Sequence, residues 1–389
     1  MSVGRSTHLP LKVLYTGAIK DLSGYASAAR DYVRSLDAVG VDVAVDARSF
    51  ETQSIHLIEE VVERRMWSMM GKPRDAHLQI LHLTPDNYTD YDNPRIKIGY
   101  YAWETSRLPG SWVRPCNEMC HEVWVPCQYL ADVSAASGVE VPIHVVPHAV
   151  SLPPSKFQPA CRINGLPEDR FKFYSIFQWS ERKNPQSLLL AYYQEFTRSD
   201  PVVLVLKTYR VGNGVVERDY IRREISKLKR ATRGVNCPPV ILIEEFLSAG
   251  EIQAIHHYCD CYVSMARSEG FGIPAFEAAA MGNPVIVPNY SAFPEYFSEE
   301  TSYLVDVPTE VPIANMRHIS ILYTGDMVWG DPSIASCRHK MREAFEYQKV
   351  AKQKGREARK WVGQNLSYKA IGRIMKARIE AINKELASA

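Results

Sequence analysis

Residues 268–287 read SEGFGIPAFEAAAMGNPVIV, and this stretch decides the fold of the chain. Two carboxylates, Glu269 and Glu277, stand on either side of a segment that contains two glycines and a proline. Small residues after the proline favour a helix, and a Gly-Asn-Pro stop then separates that helix from an apolar run. The stretch therefore predicts a tight glycine loop, a helix start and a buried strand, an alternation typical of α/β proteins.

The residues of the loop also indicate a binding function. The N-terminus of a helix that follows a glycine loop is suited to bind phosphate, and a carboxylate on each side can accept hydrogen bonds from sugar hydroxyls. The alternative is that Glu269 caps the helix and that Glu277 is a surface acid. Glu277 stands among alanines and a phenylalanine, which is unusual for a surface position. We therefore predict a pocket for a nucleotide-sugar.

The rest of the chain repeats the strand–helix alternation and predicts two doubly wound, Rossmann-like domains that face each other across a cleft. Residues 1–150 form the first domain, a proline-rich linker occupies 151–169, and residues 170–367 form the second domain. A helix over 368–389 is expected to pack back toward the first domain. The predicted strands are 12–17, 41–45, 79–83, 96–101, 122–126, 143–147, 171–177, 202–207, 240–243 and 262–265, and the helices between them include 25–39, 54–69, 186–197, 217–230 and 249–258.

Composition excludes several classes of protein. The 389 residues carry a net charge of +2, so overall charge gives no argument for a nucleic-acid or membrane partner. The sequence shows neither a signal peptide nor a run long enough to span a bilayer, and it predicts a cytoplasmic protein. The eight cysteines are too sparse for a disulfide framework in a chain of this length.

Three candidate metal motifs are weak. Cys116, Cys120, His121 and Cys127 have loose spacing for zinc, and no second pair of ligands follows. His256, His257, Cys259 and Cys261 are weaker still, since buried thiols are common in apolar strands. The run 90–92 has the Asp-x-Asp spacing of a divalent-metal motif, but it lies among turn residues. We predict no metal site.

Arg182 and Lys183 lie between the first strand and the first helix of the second domain. Basic residues are disfavoured at a helix N-terminus, so a bound anion explains them better than solvent exposure does. We predict that both stabilise a departing diphosphate.

The first domain offers two candidate segments at strand ends. Gly24 follows the first strand and would let backbone N–H groups approach a phosphate, with Tyr25 beside it. Trp103 and Glu104 follow the fourth predicted strand, where an aromatic ring and an acid suit contact with a sugar. The alternative for this pair is a buried tryptophan next to a capping glutamate.

Together the Glu269–Glu277 spacing and the Arg182-Lys183-Asn184 segment resemble the signature of family 4 retaining glycosyltransferases of the GT-B fold. The resemblance implies that Glu277 holds the ribose hydroxyls and that Glu269 contacts the donor sugar. It further implies metal-independent transfer from a UDP- or GDP-sugar with retention at the anomeric carbon, and no bound cofactor. Backbone amides around the loop would contact sugar and phosphate, and Gly24 would face the diphosphate from across the cleft. The loop residues concerned are Gly270, Phe271, Gly272 and Ile273.

The sequence departs from the family pattern at two places. Many members carry a Gly-Arg pair where this chain has Phe177 and Gln178, and many carry a histidine near Trp103. Arg182 is the candidate to supply the missing arginine's charge.

The acceptor is least constrained by the sequence. A glycan or a lipid-linked saccharide is the default that the resemblance implies. A hydroxymethylated base in DNA is an alternative, and so are a nucleotide-sugar epimerase and a non-catalytic nucleotide-sugar-binding protein. The DNA alternative rests on a basic strip that consists of Arg218, Arg222, Arg223, Lys227, Lys229, Arg230 and Arg233.

Overall fold

The computed structural model describes residues 11–21, 23–49, 62–88, 95–154, 156–159, 161–210, 212, 214–313 and 322–388. Within these residues the chain forms two six-stranded parallel sheets, with helices on both faces of each sheet. The prediction of two doubly wound, Rossmann-like domains is therefore confirmed.

The first sheet has the strand order β2-β1-β3-β4-β5-β6, and every neighbouring pair is parallel. Its two central strands are buried on both faces, and they bury three polar side chains, Gln79, His82 and Lys97, beside their apolar residues. The strands are β1 (Lys12–Gly17), β2 (Asp42–Ala47), β3 (Leu78–His82), β4 (Ile96–Tyr100), β5 (Glu122–Val125) and β6 (Ile143–Val145).

The second sheet has the order β12-β11-β10-β7-β8-β9 and is also parallel. The strands are β7 (Phe171–Gln178), β8 (Val202–Tyr209), β9 (Val240–Ile243), β10 (Cys261–Val263), β11 (Val285–Pro288) and β12 (Tyr303–Val305). A small antiparallel ribbon, β13 (Thr309–Pro312) with β14 (Val328–Asp331), follows and was not predicted from the sequence.

The helices lie where the alternation predicted them, with ends displaced by a few residues. The helix predicted over 25–39 is Gly24–Asp37, because Ser23 caps its start. Of the helix predicted over 54–69, residues 54–61 lie outside the described residues, and the described part is Arg64–Met70. The larger helices are α1 (Gly24–Asp37), α2 (Arg64–Met70), α3 (Gly110–Met119), α4 (Gln128–Ala136), α5 (Pro185–Glu195), α6 (Val215–Ala231), α7 (Ala249–Tyr258), α8 (Ile273–Met281), α9 (Phe293–Tyr296), α10 (Ile334–Glu346), α11 (Gln348–Asn365) and α12 (Tyr368–Ser388).

The two domains share one continuous hydrophobic cluster. It runs from Val13 and Tyr100 in the first sheet, through Phe271 of the glycine loop, to Val205 in the second sheet. Because apolar surface from both domains is buried in the same cluster, the hydrophobic effect holds them together across the cleft.

Helix α12 packs on α1 of the first domain. The contact is close because Gly372 has no side chain: a Cβ there would lie 2.1 Å from the Ser35 carbonyl oxygen. Tyr368 reinforces the contact by donating a hydrogen bond to Asp31 Oδ1 at 2.9 Å. Arg378 forms an ion pair with the buried Glu122 on β5. The C-terminal helix thus completes the first domain.

None of the helices in the described part of the chain is long and apolar enough to cross a bilayer. None of the eight cysteines, all of which lie within the described residues, forms a disulfide. Burial raises the pKa of the Cys116 thiol to about 12.

The Gly372 contact gives a stability prediction. Gly372→Ala should lower the free energy of unfolding by on the order of 2 kcal/mol, because the new methyl group meets a backbone oxygen that has little room to move. Gly363→Ala on α11 is the matched control, since its Cβ would meet Leu152 Cδ1 at an ordinary 3.5 Å.

The control should be neutral or stabilising, because alanine favours a helix more than glycine does. Urea denaturation of both variants measures the difference. Equal stabilities for the two variants would contradict the close approach of α12 to α1.

Candidate active site

The glycine loop lies between β10 and α8, at the carboxyl edge of the second sheet. Gly272 has a φ of +92°, and a Cβ on it would lie 2.6 Å from the Phe293 ring. A Cβ on Gly270 would lie 2.9 Å from the carbonyl oxygen of Trp103 in the first domain. The two glycines therefore have different roles. Gly272 allows the chain to turn, and Gly270 allows the backbone of the first domain to lie close to the loop.

A buried charge cluster forms around Glu269. Lys183 Nζ makes an ion pair with Glu269 Oε1, and Arg182 Nη1 donates to Glu269 Oε2 at 2.8 Å. Arg182 Nε also forms an ion pair with Glu104 Oε1 of the first domain, at 2.9 Å. Tyr323 donates its hydroxyl proton to the same Glu104 oxygen. The structure thus brings together four of the residues that the sequence singled out, Arg182, Lys183, Glu269 and Glu104.

The pKa values within the cluster follow from burial and charge. Burial raises the pKa of the Glu269 carboxyl, but Lys183 and Arg182 outweigh this effect and hold it below the ordinary value. Burial lowers the pKa of Lys183, although Glu269 partly opposes that shift. Burial also lowers the pKa of Arg182, but Glu104 and Glu269 reverse the effect and raise it. Glu269 is therefore a carboxylate at neutral pH.

Further contacts fix the loop against the first domain. Glu269 donates its backbone N–H to Ser291 Oγ at 3.0 Å, and Cys127 donates its thiol to the Gly270 carbonyl at 3.4 Å. Glu295 of the second domain accepts hydrogen bonds from the backbone N–H groups of Gln128 and Tyr129, both at 2.6 Å. A carboxylate from one domain thus caps the N-terminus of α4 in the other.

Glu277 lies on the accessible side of α8. Ile273 and Glu277 are one helical turn apart and half-buried, whereas Ala275, Phe276 and Ala278 between and beside them are buried. Both Glu269 and Glu277 lie close enough to Tyr262 on β10 to help raise its pKa, although burial is the larger cause.

Glu277 also affects the pKa of a carboxyl group in the first domain. The pKa of Asp31 on α1 is raised to about 6, mainly by burial, and Glu277 contributes to the increase. The polar neighbour of the Glu277 carboxylate is His256, whose Nε2 lies 3.5 Å from Glu277 Oε2.

Gly24 and Tyr25 occupy the first turn of α1. Gly24 is exposed, and a Cβ on it would meet no atom within 4 Å, so there is open space next to its backbone. The Tyr25 ring packs edge-on against His82 at 4.7 Å, and its hydroxyl donates to the Tyr100 carbonyl at 3.4 Å. The structure places both residues at the carboxyl edge of the first sheet.

Trp103 has a packing role. It is 4% exposed, its ring packs 4.7 Å from Tyr323, and its Nε1 donates to Thr105 Oγ1 and to the Arg107 carbonyl, both at 2.7 Å. This is the buried tryptophan of the alternative interpretation, and a sugar contact through its ring stays a prediction. The alternative interpretation made Glu104 a helix cap, but in the structure Glu104 forms an ion pair with Arg182.

Phe271 packs into the interface between the domains. Its ring lies 4.9 Å from His148, which follows β6 of the first domain, and stacks on Phe276 at 4.1 Å. The nearby His82 bonds through Nδ1 to the Tyr15 hydroxyl at 2.5 Å. Burial lowers the pKa of His148 to about 3 and that of His82 well below its ordinary value, so both rings are neutral.

Sequence reasoning missed several residues of the site. Tyr323 and Ser291 lie in loops without a local motif, and the capping by Glu295 joins distant parts of the chain. His256 was considered only as a weak metal ligand, although its place on α7 beside the apolar Ala254 and Ile255 was a signal of burial.

The structure also bears on the metal motifs and the basic strip. The run 90–92 lies outside the described residues. Elsewhere in the described ranges, no three His, Cys, Asp or Glu side chains are grouped so that they could hold a metal ion. The basic strip lies on α6 and on the turn after it. Arg222, on the helix, forms an ion pair with Glu244.

Comparison with known proteins finds a family that resembles the second domain. A protein-family model described as Glycosyl transferases group 1 matches residues 158–315, which contain Lys183, the glycine loop and Glu277. The segment that is similar to this family spans 158 of the 389 residues. A curated relative, the putative glycosyltransferase ORF313 of Acidianus filamentous virus 1, is 45% identical over 65 residues. That alignment covers 17% of this chain and 18% of the viral protein.

Solved structures resemble the whole chain. HepE from Anabaena, solved with UDP and glucose, has a TM-score of 0.63 at 12% identity, covering 95% of this chain and 100% of its own. Sucrose-phosphate synthase from Thermosynechococcus elongatus has a TM-score of 0.67 at 14% identity, covering 97% of this chain and 100% of its own. With the group 1 match and the two parallel sheets, this likeness confirms the predicted GT-B fold.

The Glu269 cluster predicts a large loss of stability on neutralisation. Glu269→Gln should lower the free energy of unfolding at pH 7 by about 3 kcal/mol, because it leaves buried Lys183 and Arg182 without their shared carboxylate. Glu118→Gln is the control, since Glu118 pairs with Arg114 at an exposed site and should contribute less than about 1 kcal/mol.

The same cluster fixes the sign of the pH dependence. The folded pKa of Glu269 lies below the ordinary value of 4.5, so its contribution to stability is full above that value and is lost as pH falls through the folded pKa. The difference between wild type and Glu269→Gln in denaturant titrations should therefore shrink in acid. A difference that does not vary with pH would contradict this account.

Proposed function

We propose that the protein is a glycosyltransferase that moves a sugar from a nucleotide diphosphate to an acceptor hydroxyl, with retention of anomeric configuration and without a metal ion. The observation that carries the proposal is the segment similar to group 1 glycosyl transferases, whose Glu269–Lys183 pair lies buried at a glycine loop, facing a second Rossmann-like domain.

The donor nucleotide is assigned to the second domain. Glu277 is half-exposed and offers two carboxylate oxygens, which suit the paired hydroxyls of a ribose. UDP is the favoured nucleotide, because HepE, which shares the fold, was solved with UDP and glucose. Glu269 is assigned to the donor sugar.

The diphosphate is assigned to the space beside Lys183 and the start of α8. The Lys183 ammonium has three donor hydrogens, and its ion pair with Glu269 needs only one of them. Helix α8 begins at the left-handed Gly272 without a side-chain cap. Pro274 has no N–H and the Ala275 N–H bonds to the Gly272 carbonyl, so the Ile273 N–H is the one at the start of α8 that is assigned to a phosphate oxygen. Gly24 at the start of α1 would face the diphosphate from the first domain, and the space beside its backbone is open.

The chemistry follows from these assignments. The bond between the anomeric carbon and the diphosphate oxygen breaks, and the acceptor oxygen forms a new bond to the same face of that carbon. The acceptor proton passes to an oxygen of the leaving phosphate, so no separate protein base is required. Lys183 and the backbone amides around Gly272 and Ile273 stabilise the negative charge that develops on the diphosphate.

Arg182 contributes in a second way. Its ion pair with Glu104 and its hydrogen bond to Glu269 join the two domains next to the reacting groups. Holding donor and acceptor in one orientation converts an encounter between two molecules into an intramolecular step. The same guanidinium group would also provide the positive charge by which Arg182 is predicted to stabilise the departing diphosphate.

The acceptor is assigned to the first domain. Residues 1–150 would bind it and residues 170–367 the donor, with 151–169 as the linker and 368–389 as the returning helix. Tyr25 and Glu104 are its candidate contacts. We propose a glycan or a lipid-linked saccharide as acceptor and the cytoplasm as the place of reaction.

Binding and turnover measurements test the donor assignments. Wild type should bind UDP in calorimetry and should transfer or slowly hydrolyse the sugar of one member of a nucleotide-sugar panel, read by mass spectrometry. Lys183→Ala should lower the rate by about 100-fold or more, because it removes a preorganised cation from the leaving group. Glu277→Gln should weaken UDP binding by about tenfold.

Lys227→Ala, an exposed lysine on α6, is the matched control and should leave both values unchanged. Absence of UDP and GDP binding in wild type would refute the proposed function. Conversion of the donor to its epimer without any acceptor would instead favour an epimerase.

Stereochemistry and metal independence need a separate measurement. The anomeric configuration of the product, read by the proton coupling constant in NMR, should equal that of the donor sugar. Addition of EDTA should leave the rate unchanged, because the charge of the leaving group is met by Lys183 and backbone amides. An inverted product or a loss of rate in EDTA would contradict the mechanism.

A further inference from the structure

A chain of hydrogen bonds lies behind Glu277. Asn283, which follows α8, donates from Nδ2 to the His256 carbonyl at 2.6 Å and to the Tyr174 hydroxyl oxygen at 2.8 Å. The Tyr174 hydroxyl, on β7, bonds to His256 Nδ1 at 2.8 Å. The opposite ring nitrogen, His256 Nε2, points to Glu277, with Oε2 at 3.5 Å.

The available donors and acceptors favour one direction for these hydrogen bonds. A backbone carbonyl can only accept, so the nitrogen of the Asn283 amide must face His256. Its second hydrogen then goes to the Tyr174 oxygen, and the hydroxyl proton of Tyr174 goes on to His256 Nδ1. With Nδ1 as the acceptor, the ring proton lies on Nε2, which becomes a donor directed at Glu277.

Nothing else among the described residues uses that donor. His256 is 1% exposed, and its Nε2 is buried and makes no hydrogen bond within the described part of the chain. A buried donor left unpaired is costly, so a small movement of the Glu277 carboxylate toward Nε2 is favoured. Glu277 is 36% exposed and can make that movement.

We propose that His256 is a positioning residue that orients the Glu277 carboxylate toward both hydroxyls of the ribose. This inference rests on the proposed function, in which Glu277 binds the ribose. Each carboxylate oxygen has two acceptor positions, so Oε2 can accept from His256 and still accept from a ribose hydroxyl. Fixing the plane of the carboxylate aligns it with two neighbouring hydroxyls at once, and it therefore favours ribonucleotides over 2′-deoxyribonucleotides.

The test compares UDP with 2′-deoxy-UDP by isothermal titration calorimetry. Wild type should prefer UDP by about tenfold, the effect of one hydrogen bond to a charged group. His256→Leu keeps apolar volume but removes the donor, and it should reduce this preference to about threefold or less. His256→Gln keeps an N–H donor of similar reach, and it should restore most of the preference.

Tyr174→Phe keeps His256 in place and removes only the hydroxyl that fixes its tautomer. It should also reduce the preference, which keeps the test valid if His256→Leu fails to fold. Tyr192→Phe is the matched control, because it removes a hydroxyl from an equally buried tyrosine that bonds to the Pro239 carbonyl. It should leave the preference at the wild-type value.

A double-mutant cycle separates positioning from general damage. In a Glu277→Gln background, His256→Leu should change the preference no further, because the carboxylate that it orients is gone. If wild type binds neither nucleotide, the proposed function fails. If wild type binds UDP and depends on Glu277 while His256→Leu keeps the full preference, the proposed role of His256 is overturned and that of Glu277 stands.

Discussion

The structure of the site depends on one buried carboxylate. Glu269 neutralises Lys183 and Arg182, which come from a different strand end, in surroundings where an unpaired charge would be costly. Arg182 extends the same network to Glu104 of the other domain. The same set of charge pairs therefore determines three features. These are the positions of the two cations, the conformation of the glycine loop and the approach of the two domains.

This arrangement explains why glycine is needed where the domains meet. Any side chain at residue 270 would collide with the backbone of Trp103, and the Glu104 carboxylate would then lie too far from Arg182. Close backbone packing and charge pairing reinforce each other. The hydrophobic cluster from Val13 to Val205 adds non-directional attraction, whereas the charge pairs select one relative orientation.

The sequence predicted those features whose determinants are local. The alternation of apolar strands and helices gave both sheets, and the glycine spacing located Glu269, Glu277 and the start of α8. The pairing of Arg182 with Glu104 could not be predicted, because no sequence pattern specifies which ends of two separate sheets face each other. The same reason hid the capping of α4 by Glu295 and the bond from Tyr174 to His256. Trp103 was ambiguous because burial and sugar contact require the same aromatic residue at a strand end.

The return of α12 to the first domain has a consequence for biosynthesis. A ribosome releases the residues of α1 long before those of α12, and until α12 emerges the apolar side of α1, with Val33 and Leu36, lacks Ile371 and Met375. The first domain therefore remains incomplete while the entire second domain is translated. A nascent chain of this kind exposes a hydrophobic surface that chaperones bind, and the later synthesis of α12 removes it.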